Sequence, residues 1–174
     1  MTIFIFIAIL FTIGVAFTVG LVMPKKTMVI SSEVVIDLPK EAVWDYVRLL
    51  RNQEHYNTWI LQDPNIKMKY SGTDGTPGFV AGWESKTRMG NGEQVITKVY
   101  EGEGYESELH FENHENITYT KVMLESVDQS KTKVSTVMSA TPSFPMNVMM
   151  PVMQNMLKKN MNENSAKLKA ILES

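Results

Sequence analysis

The chain has 174 residues, seventeen basic and nineteen acidic side chains, a net charge of -2 and no cysteine. That composition excludes a disulfide framework and a thiolate nucleophile or ligand, and gives no electrostatic ground for a nucleic-acid partner. All of the charge lies beyond Met23, so the first 23 residues are a different material from the remaining 151.

Residues 2–23 form an uninterrupted run without a charged side chain. As a helix the run reaches roughly 33 Å, at about 1.5 Å per residue, against a hydrocarbon core of about 30 Å. It is apolar all round, with no polar face to turn toward water as a surface helix of a domain requires. A cleaved signal peptide would carry a positive leading region and a small-x-small cleavage site. No Lys or Arg precedes the core, and Leu21-Val22-Met23-Pro24 offers no such site. The expectation is a retained transmembrane anchor over 1–23, a short linker over 24–26 and one domain over 27–174. Lys25 and Lys26 follow the run directly, and basic residues beside a span usually stay cytoplasmic. The chain therefore reads as a single-pass membrane protein with a cytoplasmic domain, and 151 residues suffice for one core.

Beyond Pro24, Thr27-Met28-Val29-Ile30-Ser31-Ser32-Glu33-Val34-Val35-Ile36-Asp37 is rich in β-branched residues and stops at Leu38-Pro39, which predicts a strand ending in a turn. Val43, Trp44 and Val47 recur at helical spacing behind Pro39, a residue suited to a first helical turn. A short helix is expected there and a second over 51–59. Gly, Asn, Asp and Pro then punctuate the chain at regular intervals, with strands predicted over 66–71, 78–87, 93–101, 105–112, 117–126 and 132–141. Tyr105, Leu109 and Phe111 alternate with Glu106, Glu108, His110 and Glu112, so one face of that strand is covered and the other wet. From Met146 to Leu172 the period becomes helical again, through Met149, Met153, Met156, Leu157, Met161 and Leu168, with lysines between them. Pro151 starts the regular part of this helix or kinks it.

The class is therefore α+β: seven antiparallel strands with an apolar face, and only the terminal helix long enough to lie across it. This order, with Asp74-Gly75-Thr76-Pro77-Gly78-Phe79-Val80-Ala81-Gly82-Trp83-Glu84-Ser85 and Gly92-Glu93-Gln94-Val95-Ile96-Thr97-Lys98-Val99, resembles the START-like helix-grip superfamily, in particular its polyketide cyclase/dehydrase (SRPBCC) branch. Asn52 to Trp59 also resembles that branch, and the likeness covers about residues 27–173. It implies a curved seven-stranded sheet gripping a long C-terminal helix, with two short helices after the first strand. It further implies a cavity between sheet and helix for an apolar or amphipathic small molecule. Some members catalyse cyclisation or dehydration and many only bind, and no single catalytic set defines the branch.

Seven of the thirteen methionines fall between Met138 and Met161. Unbranched thioether side chains refit around varied shapes, which suits either an adaptable apolar cavity or ordinary helix packing. The expected cavity residues are Trp59, Trp83, Leu109, Phe111, Met138, Met149, Met153 and Met156, while Trp44 reads as core. Pro142-Ser143-Phe144-Pro145-Met146 with Met149, Met150 and Val152 makes an apolar patch near the expected cavity mouth, able to touch a bilayer if exposed.

His110 and His114 read as solvated, and His55 lies nearer a cavity end. No His-x-x-x-His, His-Glu-x-x-His or carboxylate cluster appears, so neither a metal nor a cofactor is expected. There is no Gly-x-Ser-x-Gly elbow, and the glycines at 72, 75 and 78 do not open a helix as a phosphate loop must.

The leading reading is a membrane-anchored module that binds a hydrophobic or lipid-like small molecule, with no covalent chemistry required. Its rivals are a cyclase or dehydratase on the same fold, with His55 or Glu84 as acid–base candidates, and an interaction or regulatory domain with a filled cavity.

Overall fold

The computed structural model describes residues 26–87, 90–112, 116–143 and 146–174, together with 4–7, 11–12, 14–15 and 18. Most of the expected anchor, Pro24, Lys25, His114 and Phe144 lie outside the described residues. Among the described residues no helix is long and apolar enough to cross a membrane. Phe4, Phe6 and Phe11 are helical and exposed.

Seven antiparallel strands form one sheet: β1 (Met28–Ile36), β2 (Lys67–Ser71), β3 (Val80–Glu84), β4 (Gly92–Tyr100), β5 (Gly104–Phe111), β6 (Thr118–Asp128) and β7 (Lys131–Ala140). Their spatial order is β1-β7-β6-β5-β4-β3-β2, a meander from β2 to β7 that β1 extends by pairing Met28 with Ala140 and Ile36 with Thr132. Alternation decides which side is covered. Met28, Ile30, Ser32 and Ile36 are buried while Val29, Ser31 and Val35 face out, and in β5 Tyr105 and Ser107 are buried on the face that Leu109 and Phe111 continue.

The helices occupy that covered face. α1 (Lys40–Val47) buries Val43, Trp44 and Val47, and the Trp44 indole N–H donates to Glu101 Oε1 at 3.2 Å. The second helical stretch is not one helix. A 3-10 turn (Leu50–Asn52) leads into α2 (Gln53–Tyr56), and α3 (Thr58–Leu61) follows a break at Asn57, whose backbone is extended (φ -72°, ψ 114°). The cause is local chemistry: the Asn57 carboxamide accepts the Trp59 N–H at 3.0 Å, so this residue starts a helix instead of continuing one.

The Asp74-Gly75 turn is fastened to the same region. Asp74 accepts the Leu50 and Arg51 N–H groups at 2.8 and 3.1 Å, and Arg51 lies over the Tyr70 ring, 4.3 Å from its centroid. The strand expected over 78–87 is shorter at both ends. Gly78 turns the chain at φ 87°, and Ser85 bends away to donate to the buried Asp63 carboxylate. Phe79 nevertheless stays in register with Ile96 and stacks on Tyr70 inside the core.

α4 (Met146–Leu172) is the long terminal helix. Leu168 joins the main core of Ile36, Val43, Val47, Phe79, Tyr105, Val122 and Val134. Met161, with Leu157 and Met150, closes a second cluster on Met28, Ile30 and Ala140. Four polar fastenings lie in the later turns of the helix. Asn164 accepts the Thr58 N–H at 2.7 Å, Ser165 shares a 2.7 Å hydrogen bond with Ser32, Lys169 donates to the Val35 carbonyl at 2.6 Å, and Glu173 accepts the Asp37 N–H.

Candidate functional site

Between the covered face of the sheet, α2–α3 and α4 there is a cavity of about 120 Å³. Its walls come from every layer. Val47 and Tyr56 close one side, Trp59, Met161 and Leu168 form the roof, and Leu109, Val122, Val134 and Met138 rise from the sheet. Polar groups interrupt this apolar lining on the sheet, beneath the short helices and on α4, at Asn164 and Ser165.

On the sheet, one row across β4, β5 and β6 is hydroxyl and amide. Gln94 donates to Ser107 Oγ at 2.8 Å, and Ser107 is hydrogen-bonded in turn to the Thr120 hydroxyl. Beneath the short helices, Gln53 donates to the Tyr105 hydroxyl at 3.5 Å, and Asn57 donates to Gln53. Among the described residues no carboxylate, histidine, lysine or arginine lines the cavity, and its titratable members are Tyr56 and Tyr105. Burial pushes both phenols up, helped at Tyr56 by the neighbouring Tyr105 and offset in part at Tyr105 by the hydrogen bond from Gln53. The lining is therefore uncharged at neutral pH. It can hold an apolar body and hydrogen-bond one or two neutral polar groups, because an ion here would lose its hydration without a counter-charge.

A second, open depression of about 380 Å³ lies at the other edge of the sheet. Lys69, Glu84, Glu93 and His110 border it, with Lys69 ion-paired to Glu84 and His110 3.1 Å from Glu108. The ion pair with Lys69 holds the Glu84 carboxyl below its ordinary range. Trp83 packs edge-on against Phe111 here, ring centroids 5.6 Å apart. Gly92 makes that possible: a Cβ at 92 would sit 2.5 Å from the Trp83 ring.

Of the expected cavity residues, Trp59, Leu109 and Met138 meet in the cavity under α4. Trp83 and Phe111 pair at the open depression instead. Met149 and Met156 are more than half exposed, on the side of α4 turned away from the sheet, and Met153 is half-buried beside them. Of the acid–base candidates, His55 is exposed with Nδ1 3.2 Å from the Tyr46 hydroxyl, and Glu84 faces the open depression, so neither lines the cavity under α4. Among the described residues no group of three acidic or histidine side chains converges to hold a metal. Sequence reasoning missed Gln94, Ser107, Thr120 and Thr136. The available signal was a polar residue at an apolar position of the alternation, as Ser107 is between Tyr105 and Leu109.

No family model and no curated protein matches the chain. Solved structures do. Norcoclaurine synthase from Thalictrum flavum, in complex with dopamine and hydroxybenzaldehyde, aligns with a TM-score of 0.63 at 12% identity, covering 85% of this chain and 88% of that one. Ara h 8.0201 aligns at 0.58 and 14% identity, over 86% of this chain and 100% of that one. The hypothetical protein jhp0584 from Helicobacter pylori aligns at 0.65 and 15%, over 87% and 92%. At such identities the likeness is one of fold, and that fold is the Bet v 1/START-like helix grip.

Proposed function

We propose that this chain is a membrane-tethered binding module that takes up a neutral, largely hydrophobic small molecule between the sheet and α4. The observation that carries the reading is the lining of the cavity: apolar walls, uncharged polar groups at Gln94 and Thr120, both hydrogen-bonded to Ser107, and no acid–base pair for chemistry. A structure of the same fold holds two small aromatic molecules, dopamine and hydroxybenzaldehyde, which supports the grip as a place for such ligands. The tether follows from the charge-free residues 2–23. A ligand scarce in water and concentrated in a bilayer is supplied at higher effective concentration to a module held there.

At about 120 Å³ the cavity is smaller than the roughly 300–1,000 Å³ of pockets that enclose drug-sized ligands. A lipid-like guest thus requires the early turns of α4 to move outward, while the fastened turns beyond Asn164 stay in place. The same small volume favours a second reading, an interaction domain whose core is filled by its own side chains. Native mass spectrometry of the full chain, purified in mild detergent, separates them. A co-purifying hydrophobic mass released on unfolding is the expected result, and an empty chain after extraction from its native membrane favours the interaction domain.

A further inference from the structure

The terminal helix carries a second apolar face that the cavity does not use. Val148, Met149, Val152 and Met156 share one side of α4 by their spacing and are 50%, 55%, 81% and 53% exposed. Met150, Leu157 and Met161 are the residues of this stretch that pack on the domain. Several large apolar groups on one exposed helix face mark contact with another apolar phase.

Position and charge say which phase. α4 runs in the same direction as β1, from the level of Met28 near Met161 to that of Asp37 beside Glu173, so its first turns lie at the end of the sheet where β1 begins. There the Thr27 and Thr141 hydroxyls are hydrogen-bonded at 2.9 Å, which holds the root of the N-terminal segment beside the chain that enters α4. The stretch before Thr27 is the charge-free run followed by Pro24-Lys25-Lys26. From Met146 to Asn162 α4 has no acidic residue and two lysines, Lys158 and Lys159, in a chain whose net charge is -2. Lys159 has Glu163 as a neighbour, at 3.8 Å. An apolar helix face bordered by lysines suits the headgroup boundary of an anionic bilayer.

We infer that the face of α4 formed by Val148, Met149, Val152 and Met156 lies in the headgroup–acyl boundary of an anionic bilayer, the one that holds the N-terminal segment. This rests on the tether proposed above. It places the turns of α4 that precede the roof residue Met161 against lipid, so that a guest leaving the bilayer meets the cavity without crossing water.

The chain has no cysteine, so single substitutions carry an environment-sensitive fluorophore cleanly. Phe11→Cys reports on the tether, Val152→Cys on the helix face, and Val127→Cys on the far β6–β7 hairpin. The full chain is reconstituted into nanodiscs of phosphatidylcholine with phosphatidylserine, with and without doxyl-labelled lipid. Quenching at 11 and 152 but not at 127 is expected, together with a several-fold loss at Met149→Cys when Val152→Asp is added. Quenching at 11 without quenching at 152 overturns the docking and leaves the tether. No quenching at 11 overturns both. Equal quenching at 152 in pure phosphatidylcholine overturns the anionic assignment, and label-to-label contact between copies at 152 in place of lipid quenching assigns the face to a second copy.

Discussion

The Gln94 carboxamide donates to the Ser107 hydroxyl at 2.8 Å with both residues buried, between strands whose neighbouring positions on that face are apolar. Thr120 continues this pair on β6. Ser107→Ala strips the acceptor from Gln94 and a partner from Thr120, so it is expected to cost about 1–3 kcal/mol, the usual penalty for leaving a buried polar group unpaired. Gln94→Leu added to Ser107→Ala should recover part of that loss, because both partners of the bond are then gone. Urea midpoints of the three variants check this, and a Ser107→Ala chain as stable as the parent refutes it.

Filling the cavity tests whether it is the binding site. Thr136 lines it from β7 and is half-buried, so Thr136→Phe puts a ring into the space at an overpacking cost of about 1–3 kcal/mol. The co-purifying hydrophobic mass should disappear while circular dichroism keeps the parent spectrum. A retained mass moves the site elsewhere.

Unequal fastening of α4 predicts unequal opening. The turns carrying Asn164, Ser165 and Lys169 are hydrogen-bonded to α3 and β1, whereas the turns around Val148 and Val152 expose their side chains. In detergent, amide hydrogen exchange should be at least ten-fold faster across 149–156 than across 164–171, since local opening follows local packing. Uniform protection along the helix contradicts the proposed movement of its early turns.

The buried tyrosines set an alkaline limit. Burial raises Tyr56 and Tyr105 above their ordinary value of 10.0, so in the unfolded chain these phenols lose their protons at lower pH than in the native one. Their contribution to stability is complete below pH 10.0 and is lost as the pH rises beyond it. Tyr105→Phe removes one such group. Its loss of stability between neutral and alkaline pH should be smaller than the parent's, measured by denaturant melts at a series of pH values alongside tyrosinate absorbance. An identical pH dependence refutes the assignment.

The order of elements was legible in the sequence because each rests on a local period. Two-residue alternation marked Tyr105 to Phe111, three-to-four spacing marked Met149 to Leu168, and glycine and asparagine turns separated the strands. The break at Asn57 was not read, because its carboxamide caps Trp59 only once the chain has turned there. The cavity was half legible. Trp59, Leu109 and Met138 were named as large apolar residues in the right elements, but composition alone did not say which side of α4 faces the sheet. Met149 and Met156 share the helix with Met161, and their phase around its axis turns them outward.

By itself the sequence determined that 23 charge-free residues precede a charged domain, that a run of short strands there leads into one long terminal helix, and that no thiolate chemistry occurs in it. Those are properties of composition and period, which are local. Only the tertiary structure decided that Gln94, Ser107 and Thr120 form one polar row, because strands distant in sequence meet through register. It alone also brought Thr27 beside Thr141, because the first strand pairs with the last.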